Sequence, residues 1–273
     1  MTLLVRDEVD IIDENIKYHL ENGVDMIVVI DNGSKDGTRD ILDKYVKKGV
    51  LFYEVEDSHT FEQDKWVTRL IGIALKKYNA THVINCDADE FWTSKYGNLK
   101  RSIAENYFCD VIYVPVINFL PPIDKRKVGF KIRDFVYYVF NTISCPGEVG
   151  KRVSSELLMY TYPEKVITSS KVKAVGYGND SVISKGHLTE KRSSSIFIRH
   201  YPIRSFSQFV TKVVNGGSSY EKNPIDNPST GWHWKAWYKT YKSGRISQEY
   251  DRLSCQKTRE SLLKKGDIRK YDA

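Results

Sequence analysis

Long apolar runs are missing from this sequence of 273 residues. A transmembrane helix needs about 18 or more consecutive apolar residues, and no stretch of the sequence approaches that length. The apolar residues that follow Met1 give way at once to Arg6 and then to acidic residues, so they are too few for the core of a secretory signal. We therefore expect a cytoplasmic protein.

Cysteine is scarce, and its spacing excludes CxxC redox sites and zinc sites. The four cysteines form no CxxC pair and their spacing matches no zinc motif; they are Cys86, Cys109, Cys145 and Cys255. This pattern favours reduced thiols in a cytosolic protein. The sequence also lacks a Walker A motif and a GxGxxG motif, so neither of those phosphate-binding schemes applies.

The charge is not balanced along the chain. The net charge is +7, and residues 239–273 hold ten Lys or Arg against five Asp or Glu. Most of these side chains are expected on a solvated helix face, with a peripheral contact to a membrane as the alternative. The basic residues are not interleaved with aromatics in any nucleic-acid reader pattern, so we expect no nucleic-acid partner.

The first 90 residues alternate between strand and helix patterns. Short apolar runs predict strands, and apolar residues at helical spacing lie between them. The predicted elements are strands at 3–5, 26–30, 50–55 and 82–86 and helices at 11–20, 38–48 and 61–78. This order predicts an α/β fold with a doubly wound, mostly parallel central sheet flanked by helices. Ligands in such folds bind beyond the carboxyl ends of the strands.

The rest of the chain is less regular. A strand is predicted at 110–118, and strand-like runs follow at 135–140, 157–162, 165–167 and 171–175. From Ser205 onward the pattern is helical, with residues 246–262 interpreted as one last helix. Trp234, Trp237, Tyr238 and Tyr241 recur at helical spacing, which favours a core stripe over a sugar-stacking platform.

A first polar loop, residues 87–92, follows the fourth predicted strand and begins with Asp87-Ala88-Asp89. Residues i and i+2 of a strand point the same way, so the two carboxylates would repel each other unless a cation lies between them. A hard divalent ion, Mg²⁺ or Mn²⁺, relieves this repulsion and bridges to substrate phosphates. Glu90 adds a third carboxylate, and a solvated acidic turn is the alternative interpretation.

A second polar loop, residues 31–38, follows the second predicted strand and opens a helix. Its glycines permit positive φ, and a helix start presents free N–H groups. Asp31 could accept hydrogen bonds from a base or a ribose, or serve only in turn and N-cap chemistry. Both polar loops are predicted at the same edge of the sheet.

These pieces together resemble the family 2 glycosyltransferases of the GT-A fold, in particular the branch with DADEF-type signatures. The matching segments appear in the expected order and are Val5–Glu8, Asp31–Thr38, Asp87–Trp92 and His200–Ser205. The resemblance is strong to about residue 120, thin from 120 to 185 and moderate around His200. The sequence contains no repeats and no low-complexity linker, so we expect one domain over residues 1–273, with a nucleotide-sugar half (1–92), an acceptor-side half (93–204) and a helical C-terminal segment (205–273).

The resemblance also implies roles for individual residues. Nucleotide-sugar contacts are expected from Arg6, Glu8, Asp31, Asn32, Ser34, Lys65, Asp87 and Ala88. The metal would be held by Asp89, Asp87 and His200, with His187 in reserve; a packed, hydrogen-bonded histidine is the alternative for either imidazole. Independently of the resemblance, the basic second half of the chain offers Arg204 or Lys212 to assist at the departing diphosphate. Enzymes of this family invert the anomeric configuration and need a carboxylate base, for which the acidic residues in the right stretch are Glu148, Asp180 and Glu190.

The sequence thus predicts metal-dependent transfer of a sugar from a nucleotide-diphosphate sugar, UDP-sugar favoured, to a saccharide or glycoconjugate hydroxyl. A sugar nucleotidyltransferase is the first alternative, although Val5–Glu8 is not the glycine-rich phosphate loop such enzymes carry after their first strand. A non-catalytic protein that binds anionic ligands is the second.

Overall fold

Strands and helices alternate through the first 90 residues of the computed structural model, which describes residues 1–56, 62–123, 130–143, 158–222 and 232–271. The strands of these residues are β1 (Thr2–Val5), β2 (Ile27–Asp31), β3 (Leu51–Val55), β4 (His82–Asp87), β5 (Glu90–Ser94), β6 (Val111–Val114), β7 (Val116–Asn118), β8 (Tyr137–Val139), β9 (Lys165–Ser169), β10 (Ala174–Val175), β11 (Val182–Ile183), β12 (Glu190–Arg192), β13 (Ile196–His200) and β14 (Ile268–Lys270). The helices are α1 (Ile12–Glu21), α2 (Thr38–Lys47), α3 (Gln63–Tyr78), α4 (Leu99–Ala104), α5 (Phe206–Lys222), α6 (Trp232–Lys242), α7 (Ile246–Ser254) and α8 (Gln256–Lys265).

The chain divides into two units. The first comprises Met1–Val116 and Pro163–His200, and the second comprises Ile117–Tyr162 and Tyr201–Ala273. The second unit is therefore built from two chain segments, one of which interrupts the first unit.

A mixed sheet is the centre of the first unit. Its strand order is β12-β6-β9-β4-β1-β2-β3. Neighbours pair in parallel except β9, which runs antiparallel to both β4 and β6. The predicted α/β fold with a mostly parallel sheet is confirmed.

Helices cover both faces of this sheet. Alternate residues of β2 point to opposite faces, so Ile27 and Val29 pack in one apolar cluster while Val28 and Ile30 pack in another. The first cluster contains residues of α1, α2 and α4, and the second contains those of α3. This arrangement is the doubly wound one that the sequence predicts.

Two predictions about local structure were wrong in the first unit. Residues 90–92 are not loop, because only a turn follows Asp87 and β5 begins at Glu90. β5 pairs antiparallel with β13, a strand that the sequence pattern did not indicate. The predicted strand at 110–118 is divided into β6 and β7.

The second unit is mainly helical, as predicted from residue 205 onward. Its core contains Trp237, with Trp234 and Tyr238 packed against it. The core interpretation of this aromatic stripe is therefore confirmed, and Tyr241 lies at its exposed end. The single last helix over residues 246–262 was wrong: Cys255 has an extended backbone (ψ 132°) and separates α7 from α8.

No helix of the described ranges is long and apolar enough to cross a membrane. Cys86 and Cys109 are buried free thiols, and Cys255 is an exposed one. Cys145 lies outside the described residues.

Candidate active site

The two polar loops lie at one edge of the sheet, as the sequence predicts. In the strand register, Val5 of β1 pairs with Asp31 of β2, and Leu4 pairs with Asp87 of β4. Because all three strands run in parallel, Arg6, Asp31 and Asp87 leave the sheet side by side at its carboxyl edge.

The loop after β2 is tied to the segment after β1. Gly33 (φ +71°) and Gly37 (φ +101°) adopt the positive φ expected of them. The Ser34 hydroxyl accepts the backbone N–H of Asp7 at 2.9 Å, and the Thr38 hydroxyl accepts that of Glu8 at 3.0 Å. Glu8 and Ser34 are thereby held at the end of β1, where the resemblance places a nucleotide.

Asp31 is fully buried within this loop. Its Oδ1 accepts the Ser34 N–H at 3.0 Å, and its Oδ2 forms an ion pair with Arg39. These contacts are those of the turn, and a contact of Asp31 with a nucleotide remains a prediction. Asn32 is also buried, while the Arg6 side chain is half exposed.

Lys65 is exposed, unlike the buried residues of the loop after β2. It lies in the first turn of α3, where its exposed ammonium pairs with Glu62 at 2.6 Å. An approach of Lys65 to a donor remains a prediction.

Asp89 and His200 form a close pair. The antiparallel register of β5 and β13 sets His200 opposite Glu90, and His200 Nε2 lies 3.4 Å from Asp89 Oδ2. Both side chains are largely buried, about a tenth exposed or less. The strand pairing thus brings together two residues that the sequence singled out separately as metal ligands.

Asp87 faces a different partner. Lys165, the first residue of β9, donates to Asp87 Oδ2 at 2.7 Å and lies 3.3 Å from Glu90 Oε1. Asn179 Nδ2 donates to Asp87 Oδ1 at 3.3 Å, so both oxygens of this carboxylate have a donor. The Asp87 backbone N–H donates to Glu90 Oε2 at 3.1 Å.

The electrostatics of this cluster follow from its burial. Burial raises the pKa of Glu90 to about 7, and attraction by Lys165 opposes that rise. Burial lowers the pKa of Lys165, but the carboxylates of Asp87 and Glu90 outweigh it and the net shift is upward. Lys165 is therefore a cation fixed among carboxylates.

The residues present suit a hard divalent ion only with help from a substrate. Within the described part of the chain, no group of three or more His, Cys, Asp or Glu side chains is arranged to hold a metal. Asp89 and His200 offer one oxygen and one nitrogen ligand. Mg²⁺ sites are often built in this way, with one or two protein carboxylates and with substrate phosphates completing the shell.

Helix α1 holds the backbone of the Asp87–Asp89 turn. Asn15, fully buried, donates to the carbonyl of Ala88 at 3.0 Å and to that of Glu90 at 2.8 Å. His19, one helical turn later, accepts the backbone N–H of Trp92 through Nε2 at 3.1 Å. Ala88, which was predicted to contact the nucleotide sugar, is buried, and its carbonyl is the acceptor of the bond from Asn15. Neither Asn15 nor His19 lies in a sequence motif, so only their contacts in space indicate this role.

Comparison with known proteins accords with this arrangement. Residues 5–150 match the family model described as glycosyl transferase family 2. The chain belongs to this family. It is therefore a glycosyltransferase, and the alternatives of a nucleotidyltransferase and of a non-catalytic binding protein are set aside.

Solved structures similar to this family 2 glycosyltransferase are distant in sequence. S. aureus TarS residues 1–349 shares 12% identity over 97% of this chain and 90% of that chain, with a TM-score of 0.42. The same TarS fragment in complex with UDP-GlcNAc shares 11% identity over 97% and 91%, with a TM-score of 0.44. HddC from Yersinia pseudotuberculosis shares 13% identity over 77% and 96%, with a TM-score of 0.40. No curated protein matches the chain.

Two of the three candidate bases of this glycosyltransferase border one cleft. The cleft has a volume of about 550 Å³ and is lined by Tyr113, Glu164, Asp180, Glu190, Lys191 and Arg192. Tyr113 lies near the end of β6, and Glu164 precedes β9, so the cleft lies at the same sheet edge as Asp87. Glu148 lies outside the described residues.

The remaining predicted residues lie elsewhere. His187, the reserve metal ligand, lines a neighbouring cleft of about 470 Å³ with Val182 and Leu188. Arg204 and Lys212 belong to the second unit, where Arg204 is buried and donates to the carbonyl of Tyr201 at 3.5 Å. Their assistance to a departing diphosphate remains a prediction.

Proposed function

We propose that this family 2 glycosyltransferase transfers a sugar from a nucleotide-diphosphate sugar to a hydroxyl of a saccharide or glycoconjugate. A UDP-sugar is the favoured donor, the reaction inverts the anomeric configuration, and it requires Mn²⁺ or Mg²⁺. The observation that carries the proposal is the Asp89–His200 pair, 3.4 Å apart beside Asp87 at the carboxyl edge of the sheet.

The donor would lie across the ends of β1, β2 and β4. Arg6 and Glu8 would flank the nucleotide base, with Asp31, Asn32 and Ser34 near the ribose. Asp87 would contact the ribose and the donor sugar. These residues leave adjacent strands at one edge, so a single extended ligand can contact all of them.

Asp89 and His200 would hold the divalent ion together with the donor's diphosphate oxygens. When bound, the ion neutralises the negative charge that develops on the departing diphosphate. Because both side chains are nearly buried, little water would compete with them for the ion, and each electrostatic contact would be stronger than in solvent.

The acceptor would enter the cleft that Asp180 and Glu190 border. We favour Asp180 as the general base, because it follows Asn179, whose side chain contacts Asp87 at 3.3 Å. Asp180 would take the proton of the acceptor hydroxyl. At the same time the hydroxyl oxygen would attack the anomeric carbon of the donor sugar, and the nucleoside diphosphate would depart. Glu190 is the alternative base, and its Oε2 accepts the Tyr113 hydroxyl at 3.3 Å.

A thermal-shift panel tests the donor site. The protein is heated with UDP-, GDP-, dTDP- and CMP-sugars, each with and without Mn²⁺. A ligand present at about 100 times its Kd stabilises the folded state by roughly 2.7 kcal/mol, which raises the melting temperature measurably. We expect a Mn²⁺-dependent rise with one nucleotide class, UDP. No rise with any member of the panel would overturn the proposed donor and metal.

A further inference from the structure

Lys165 occupies an unusual place for a lysine. It opens β9, and because β9 runs antiparallel to β4, the start of β9 lies beside the end of β4. Its ammonium contacts three acceptors: Asp87 Oδ2 at 2.7 Å, Glu90 Oε1 at 3.3 Å and the Gly178 carbonyl at 2.6 Å. A lysine ammonium has three N–H donors, so all of them are used.

The burial of these groups makes the contacts strong. The Lys165 side chain is 12% exposed and that of Glu90 is 2% exposed. Lysine is almost never buried unless it is paired, because an unpaired buried charge costs several kcal/mol. Asp87, Asp89 and Glu90 place three carboxylates within four residues, and Lys165 compensates two of them.

Lys165 also divides the cluster. Asp87 is held on one oxygen by Lys165 and on the other by Asn179. Asp89 instead lies against His200. The first carboxylate of the motif is thus oriented by a protein cation, whereas the second lies against an imidazole.

We propose that Lys165 is a positioning residue for Asp87: its ammonium fixes the Asp87 carboxylate in the orientation in which that carboxylate contacts the donor. This inference rests on the proposed function, because it assigns Asp87 to the donor.

A double-mutant cycle tests the proposal. Wild type, Lys165→Met, Asp87→Asn and the double variant are titrated by calorimetry with UDP in the presence of Mn²⁺. If Lys165 acts through Asp87, each single variant weakens UDP binding by about tenfold, and the double variant is no weaker than either single variant. The Mn²⁺ concentration that gives half-maximal UDP binding stays within about threefold of wild type in Lys165→Met, because Asp89 and His200 are intact.

Two results would overturn the role of Lys165. One is UDP binding by Lys165→Met equal to that of wild type. The other is a double variant whose loss equals the product of the two single losses, since independent effects multiply in affinity. A merely structural role moves the melting temperature of the free protein but leaves the losses independent of Asp87.

Further variants guard against a failure to fold. Lys165→Gln removes the charge but keeps a hydrogen-bond donor, so it should lose UDP affinity in the same direction if Lys165→Met does not fold. Lys165→Arg keeps the charge and should retain more affinity than either; equal losses in all three would contradict the proposal. The matched control is Lys171→Met, which removes an exposed lysine paired with Asp110 at 3.0 Å just after the same strand and should bind UDP as wild type does.

The proposed function and this inference fail in different ways. If wild type binds none of the four nucleotide classes, the proposed donor is wrong and the role of Asp87 with it. If wild type binds UDP and the Lys165 variants bind it equally well, only the positioning role is wrong.

Discussion

His19 and Trp92 are joined by a hydrogen bond in which the imidazole is the acceptor: the backbone N–H of Trp92 donates to His19 Nε2 at 3.1 Å. Since Nε2 accepts, the ring proton lies on Nδ1, which donates to the Asn15 carbonyl at 2.8 Å. The neutral ring thus links α1 to β5, directly after the Asp87–Asp89 turn. Its protonation would break this link.

The first prediction concerns stability in acid. Burial lowers the pKa of His19 to about 3, while the unfolded chain has about 6.5. As the pH falls, the unfolded state therefore binds the proton before the folded state does. The contribution of His19 to the free energy of unfolding is complete above pH 6.5 and falls by up to about 1.4 kcal/mol per pH unit toward pH 3. Urea unfolding at several pH values measures it. His19→Gln should flatten the slope in this window, and an unchanged slope would contradict the assignment.

The second prediction concerns Asn15. Asn15→Ala removes the amide that donates to the carbonyls of Ala88 and Glu90, which should cost about 1–3 kcal/mol of unfolding free energy. It should also lower kcat/KM by about ten- to a hundredfold, because a small misplacement of the turn misaligns reacting groups. Asn22→Ala, at the end of the same helix, removes only a bond to the Tyr18 carbonyl and should keep normal kinetics.

The third prediction concerns the metal ligands. Asp89→Ala should lower Mn²⁺-dependent turnover by about a hundredfold or more, since metal stabilisation is worth several kcal/mol. His200→Ala should raise the Mn²⁺ concentration needed for half-maximal rate. Mn²⁺ titration of initial rates measures both, and far-ultraviolet circular dichroism checks the fold. His187→Ala, an exposed histidine, is the matched control and should behave as wild type. Wild-type turnover in Asp89→Ala would contradict the metal assignment.

The fourth prediction separates the candidate bases. A general base contributes about 10²–10⁴-fold, so Asp180→Asn should lower kcat by at least about a hundredfold with little change in donor affinity. Glu190→Gln preserves a partner for Tyr113 and should change kcat far less. Rates at saturating donor, with donor affinity from calorimetry, measure the difference. The reverse pattern would move the base to Glu190.

The fifth prediction concerns packing in the second unit. A Cβ added at Gly217 of α5 would overlap Tyr238 of α6, so Gly217→Ala should destabilise by about 1–3 kcal/mol. Gly72 of α3 has nothing within 4 Å of an added Cβ, so Gly72→Ala should stabilise by about 0.5–1 kcal/mol. Denaturant unfolding of the two variants compares the same substitution in two helices. Equal effects would contradict the close approach of α5 and α6.

Much of the first unit is predictable from the sequence because its signals are local. Buried parallel strands form continuous β-branched runs such as Ile27–Ile30, and turn residues such as Gly33 and Gly37 need positive φ. Since parallel strands end at one edge, the sequence also predicts that Asp31 and Asp87 lie near each other. The register confirms this prediction.

The partners of Asp87 are not predictable in this way. Lys165 reaches it from an antiparallel strand far along the chain, and Asn179 reaches it from a turn of the 3-10 helix Tyr177–Asn179. Neither residue stands in a motif. The link from Asn15 to the Ala88 carbonyl is equally invisible, because an asparagine on a helix reads as an ordinary polar position until its neighbours in space are known.

The position of β9 in the sheet determines when the central sheet can be completed during synthesis of the chain. β9 lies between β4 and β6, yet it leaves the ribosome only after residues 117–162 of the second unit. A nascent chain that ends at residue 150, the limit of the family match, holds both neighbours but not the strand that joins them, nor Lys165. Such late, long-range pairing is slow to form. The carboxyl edge of the sheet in the first unit is therefore assembled only once much of the intervening segment already exists.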